Sequence, residues 1–177
     1  MILETERLIL RKFTEADAPF ILELLNSEGW IRFIGDRKVY SLDDAKKYLN
    51  DGPLKSYSEN GFGLSMVELK SDHTPIGMCG LIMRAGLDDI DLGFALLPQF
   101  TKQGYAFEIA GACLRYAFHD LNLMRVVAIT LPENKSSVNL LSKLGMKEEK
   151  IGAKRRPHSI YPNPANSKGY TVYSCSP

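Results

Sequence analysis

Along residues 7–13, RLILRKF, Leu8 and Leu10 stand two apart among the polar Arg7, Arg11 and Lys12, which predicts a half-buried strand. At Thr14 the period lengthens. TEADAPFILELLNS sets Ile21, Leu22 and Leu25 on one helical face, with Thr14 placed to cap it and Asp17 near its positive end. A loop carrying Trp30, Phe33 and Ile34 is expected next, then a second helix in SLDDAKKYLN opened by Ser41, with helical structure resuming around 54–58. Three strand-like runs follow: FGLSMVELK (62–70), PIGMCGLIMR (75–84) and DIDLGFALL (89–97). The breaks SDHT and AGLDD suit hairpin turns, so the three runs read as an antiparallel meander.

A long helix is predicted from about Lys102 to His119, because Ala106, Ile109, Ala110, Cys113, Leu114, Ala117 and Phe118 repeat at i, i+3, i+4, i+7. MRVVAIT (124–130) is almost continuously apolar, as a strand covered on both faces should be. Residues 134–143 form a short helix that Gly145 ends in a left-handed cap. Final strands fit MKEEKIG (146–152) and KGYTVYSCS (168–176), joined by the proline-rich, polar AKRRPHSIYPNPANS. Neither an internal repeat nor a linker divides the chain, so residues 1–177 are read as one domain. The order is β-α-α-β-β-β-α-β-α-β-β, a mixed α/β class. Within it, 89–130 is a strand–helix–strand crossover, and a sheet that changes direction is a common place for a ligand crevice.

Composition narrows the functions. Apolar residues make up 45% and charged residues 24% of the chain, an ordinary globular balance. A formal charge of +1 gives no reason to expect general nucleic-acid binding or an anionic membrane. Cys79, Cys113 and Cys175 are far apart and form no Cys/His cluster, so neither a disulfide framework nor a metal site is expected. MILETERLIL has acids where a signal peptide needs bases, and no window reaches ~18 uninterrupted apolar residues. A cytoplasmic location is expected.

The chemistry concentrates in DIDLGFALLPQFTKQGYAFEIA, where a strand runs through a short loop into Gly104 at the head of the long helix. Helix N-termini present unpaired N–H groups and the positive end of the dipole, so they attract phosphate. Gly104 either opens those amides to a ligand or relaxes a tight junction. The segment is neither a P-loop nor a dinucleotide fingerprint.

LGFALLPQFTKQGYAFEIA resembles the signature segment of the GNAT acetyltransferases, in which a strand meets a Q/R-x-x-G-x-G/A loop before the long helix. The six positions are Thr101, Lys102, Gln103, Gly104, Tyr105 and Ala106, with Thr101 replacing the usual Gln or Arg. PENKSSVNLLSKLGMKEE is similar to the N-x-x-S-x-x-L-x-x-K-L-G-F block of the branch resembling the RimJ and RimL ribosomal-protein N-acetyltransferases, with Met146 for Phe. LETERLILRKFTEAD and KGYTVYS resemble the family's first and last segments. The likeness thus spans nearly the whole chain in order.

The resemblance implies a GNAT-like fold with splayed central strands and acetyl-CoA as donor, without a metal. It places the pyrophosphate on the amides of Gln103, Gly104, Tyr105 and Ala106, with Lys102 adding charge, and the pantetheine arm along the backbone of Phe94, Ala95, Leu96 and Leu97. Asn134 has two compatible readings, helix cap and cofactor contact. Where many relatives have a tyrosine to protonate the thiolate stands Leu141, and because the RimL-like branch offers a serine at position 137, the resemblance implies Ser137 as the candidate acid. Asp91 is the first candidate base and Glu68 the second, although an α-amine acceptor needs none. Trp30, Phe33, Ile34 and His158 are assigned to the acceptor pocket. The implied partner is an amine, either a protein N-terminus or a small molecule, and a homodimer is possible. A CoA-binding sensor that has lost turnover is the alternative, motivated by Leu141 and Thr101.

Overall fold

The computed structural model describes residues 3–84, 87–149 and 170–177. Among the described residues, eight strands form one sheet in the order β1-β2-β3-β4-β5-β6-β8-β7. β1 (Leu3–Glu4), β2 (Leu8–Arg11), β3 (Leu64–Leu69), β4 (Pro75–Ile82) and β5 (Asp91–Leu96) pair antiparallel in sequence order. The crossover through α5 (Tyr105–His119) then returns the chain parallel to β5 as β6 (Val126–Thr130). β7 (Lys147–Glu149) and β8 (Thr171–Cys175) close the far edge, β8 lying antiparallel between β6 and β7. The mixed α/β class and the meander read from the sequence are both present.

Helices cover both faces, and each has its own core. On one face α5 and α6 (Lys135–Lys143) pack Ile109, Cys113, Ala117 and Leu141 against Leu10, Val67, Leu81, Leu92 and Ala128. On the other, α1 (Ala18–Leu25), α2 (Glu28–Phe33) and α3 (Leu42–Leu49) pack Ile21, Leu24, Trp30, Ala45 and Leu49 against Met66, Met78 and Leu97. Because both faces are covered, the middle strands are buried along almost their whole length.

Several boundaries differ from the expectation. β1 is a two-residue edge strand, too short to show a period. Trp30 and Phe33 lie in the short helix α2, not in a loop, and six residues are too few for a helical repeat to declare itself. A 3-10 turn over Glu15–Asp17 precedes α1, and the expected capping role of Thr14 takes the form of a capping box with Asp17. Ser41 and Asp44 make the corresponding box at α3. A π-turn over Asn50–Leu54, containing Pro53, joins α3 to α4 (Lys55–Asn60). At the end of α6 the Met146 and Gly145 amides donate to the Leu141 and Ser142 carbonyls, and Gly145 has φ +81°. That is the Schellman geometry the glycine implied.

The feature that positions the site is a divergence. β5 and β6 pair at one register position, Asp91 with Val127, where the Val127 amide donates to the Ile90 carbonyl at 2.9 Å. Beyond it each strand keeps only its outer neighbour, and the two part in a V.

Candidate acetyl-transfer cleft

The V opens into a cleft of about 810 Å³. Its floor is β5, and one wall is the loop Pro98–Gly104 with the first turn of α5. The end of β6 and the start of α6 form a second wall, and α2 with Arg37 and Tyr48 forms a third.

At the loop, Lys102 has φ +60° and Gly104 φ +85°. Left-handed residues cannot be helical, which is why α5 begins at Tyr105 rather than near Lys102. Backbone that alternates hands in this way turns successive N–H groups toward a common centre, a shape suited to anions. Glycine suits position 104 because other side chains adopt that φ only with strain. No side chain caps α5, and its first helical bond runs from the Glu108 amide to the Gly104 carbonyl. The amides of Tyr105, Ala106 and Phe107 therefore lack helical acceptors. Gly104 and Ala106 line the cleft, as does Lys102. The side chains of Gln103 and Tyr105 do not line it: Gln103 donates to the Gln99 carbonyl at 2.8 Å, and Tyr105 lies under the Arg7 guanidinium. Those two positions can offer only main chain.

Arg7 fastens this loop. It donates to the Gln103 carbonyl at 3.1 Å and pairs with Glu108 at 2.7 Å, while Glu108 also accepts from Thr5 at 2.6 Å. Nothing in the sequence pattern singled out Arg7, because its partners lie about a hundred residues away.

Along β5 the Leu97 amide donates to the Ile76 carbonyl at 2.9 Å. Antiparallel pairing alternates, so Ala95 shares that orientation toward β4 while the main chains of Phe94 and Leu96 face the V. The four-residue stretch expected to hold the cofactor arm thus divides in two. Phe94 and Leu96 expose backbone to the cleft; Ala95 and Leu97 spend theirs on the sheet, and Leu97 is buried in the core.

At α6, Asn134 lines the cleft and accepts from the Ser137 amide at 3.2 Å, the capping role expected of it. Ser137 is half-buried at the cleft wall. Leu141, one turn further on, is wholly buried and does not reach the cleft, so that position supplies no proton.

At the narrow end sits Asp91, 1% exposed. One carboxylate oxygen is held by Arg84 Nε; the Ile129 amide also points at the carboxylate, but too loosely to make a well-formed hydrogen bond to the buried Oδ1. Burial raises its pKa, and the opposing pull of Arg84 does not cancel the effect. Beside Arg84 stand Arg37, Tyr48 and Tyr170, and burial, with a smaller push from Arg84, brings Arg37 down to about 10. Trp30, Phe33 and Ile34 line the same region, so the acceptor-side cluster read from the sequence does reach the cleft. Sequence reading missed Arg37, Arg84, Tyr48 and Tyr170.

Glu68 is not at the cleft. It sits on β3 in a separate depression with Asp17, Phe20 and His73, and its carboxylate pairs with Arg11 at 2.7 Å. Strand assignment alone could not say toward which end of the sheet its side chain would fall. His158 and the basic run Lys154, Arg155, Arg156 lie outside the described residues. Among the described residues there is no cluster of metal-ligating side chains and no helix long and apolar enough to cross a membrane.

The cleft thus combines a main-chain anion cradle, a free strand edge and a polar narrow end. Comparison with known proteins agrees. Residues 7–147 match the family model described as the acetyltransferase (GNAT) domain. The N-acetyltransferase YnaD of Bacillus subtilis is 29% identical over 149 residues, 84% of each chain. An acetyltransferase from Agrobacterium tumefaciens superposes with a TM-score of 0.81 at 24% identity, covering 100% of this chain and 95% of that one. The ribosomal L7/L12 α-N-protein acetyltransferase RimL, solved with coenzyme A, superposes at 0.76 and 16% identity over 99% and 98%. The GNAT fold binds CoA in that complex. The chain belongs to the GNAT family and is an N-acetyltransferase.

Proposed function

We propose that the cleft binds acetyl-CoA with its pyrophosphate on the amides of Gln103 to Ala106 and its pantetheine arm along β5. In this reading the arm adds to the free backbone of Phe94 and Leu96 like a strand, and the acetyl group lies toward Asp91. The observation that carries it is the single paired position between β5 and β6, which leaves main-chain donors and acceptors open beside a helix N-terminus. Lys102, and Lys143 on α6, lend positive charge to the phosphates.

The amine attacks the thioester carbonyl directly. A C–N bond forms, the C–S bond breaks, the amine proton passes to Asp91 or to water, and the CoA thiolate takes a proton from Ser137 or from solvent. Asp91 suits the base role because a buried carboxylate of raised pKa holds a proton better near neutrality. Direct transfer is favoured because no described cysteine lines the cleft. Cys79 and Cys113 are buried in mutual contact, and that hydrogen bond, then burial, pushes the Cys79 thiol well up.

The acceptor is an amine, either a protein N-terminus, as in the RimJ and RimL branch, or a small molecule. Titration calorimetry with acetyl-CoA, controlled by dephospho-CoA and ATP, followed by an amine screen with thiol-release detection, tests this reading. Stoichiometric acetyl-CoA binding with thiol release on some amine is expected. A folded protein that binds no acetyl-CoA overturns the reading.

A further inference from the structure

The narrow end of the cleft holds more cation than anion. The charged residues lining it there are Glu28, Arg32, Arg37, Arg84 and Asp91. Glu28 and Arg32 are exposed on one face of α2 at the rim, where their charges offset one another. Further in, Asp91 is paired to Arg84, and Arg37 stands beside Arg84 with Tyr48 and Tyr170. The rest of the chain cannot reverse this balance. No other described carboxylate lines the cleft, and residues 1–2, 85–86 and 150–169 contain neither Asp nor Glu.

Resting on the acetyl-transfer reading of this cleft, we propose that its acceptor is a small amine that also carries an oxyanion, as a free amino carboxylate does. The amine approaches the Asp91 carboxylate, directly or through a water, and the Arg37 guanidinium receives the oxyanion. A guanidinium offers five donors in a planar fork matched to a carboxylate, so it can accept one whatever other bond it keeps. Trp30 Nε1 and the Tyr170 hydroxyl are buried without hydrogen-bond partners on residues lining the same cleft, and they are two further donors for a polar acceptor. A polyamine would instead bring a second ammonium toward two guanidiniums, where low dielectric strengthens the repulsion.

The test is a panel of kcat/KM values by thiol release on the wild-type protein. It sets free amino acids beside their C-terminal carboxamides, spermidine, and amidated peptides with Asp or Asn as second residue. The best carboxylate should exceed its own carboxamide and spermidine by about tenfold or more. In Arg37→Gln that ratio should fall to about twofold or less, with acetyl-CoA affinity unchanged. Removing the carboxylate lowers the amine pKa and favours the reactive neutral form, so this bias runs against the proposal. A carboxamide equal to its acid, spermidine as the best acceptor, or a peptide preferred irrespective of Asp or Asn overturns it. If Arg37→Gln does not fold, the wild-type ratio alone decides. Failure to bind acetyl-CoA at all would instead remove the acetyl-transfer reading, and calorimetry separates that result from a wrong acceptor.

Discussion

The two ends of the cleft are built from different materials. The α5 end is main chain: left-handed positions at Lys102 and Gly104, uncapped amides at the helix start, and the open edge of Phe94 and Leu96. The Asp91 end is side chain, with Arg37 from a loop, Tyr48 from α3, Arg84 from beyond β4 and Tyr170 from before β8. A main-chain site depends on backbone shape, which few residues can provide, so it leaves a compact mark in the sequence. A side-chain site is assembled from distant segments that vary independently, so acceptor choice can change without disturbing the donor site.

Substitutions that act on one end only would sharpen this contrast. The largest effect is expected at Gly104. Gly104→Val forces a β-branched residue to φ +85° and puts its Cβ about 3.2 Å from Arg7 Nη2, so the loop relaxes away from the shape that gathers its amides. Restoring the strained loop shape on binding costs about 2 kcal/mol or more, which is roughly thirtyfold weaker acetyl-CoA binding by calorimetry. Undiminished affinity in a folded variant would show that the loop does not hold the donor.

Next in size is Ser137→Ala, which keeps the amide bonded to Asn134 and so leaves the cap intact. A loss of about tenfold or more in kcat is expected, with acetyl-CoA affinity unchanged. Full turnover in the variant would assign the proton to solvent. Asn134→Ala should cost about 1 kcal/mol of stability as a lost cap, read from denaturant unfolding, whereas Asn134→Asp should retain it.

The smallest effect compares two carboxylates. Burial pushes the Asp17 carboxyl up, but hydrogen bonds from Arg11 and Thr14 outweigh it and hold its pKa below the usual value. Asp17 therefore contributes stability above its unfolded pKa that is lost as pH falls through the folded one. Asp91, raised by burial, behaves oppositely: its ionisation subtracts stability as pH rises from its unfolded pKa through the higher folded value. Unfolding free energies between about pH 3 and pH 7 should rise less steeply with pH in Asp17→Asn and more steeply in Asp91→Asn than in wild type. Slopes that change in the same direction would contradict the two environments.

The same contrast explains what could be read in advance. Long periodic elements such as α5, and glycines whose φ is obligatory, are local facts and were legible. So was Asn134, whose capping partner is three residues away. The short α2 and β1 carry too few residues for a period. Arg7 acts on Gln103 and Glu108 only because β2 packs beside α5. Glu68 sits on a strand, as Asp91 does, yet its partner Arg11 lies across the β2–β3 pair, and only tertiary structure decides which acid meets the cleft. Arg84 and Asp91 flank one hairpin, and that oppositely charged pair was a local sign of the narrow end.

In the proposed binding mode the donor is held by backbone, and amide hydrogen exchange reads backbone directly. Saturating acetyl-CoA should slow exchange in peptides covering 92–97 and 102–108 while leaving α1 and α3 unchanged. Slowing confined to other segments, or none under conditions where calorimetry shows the ligand bound, would contradict it.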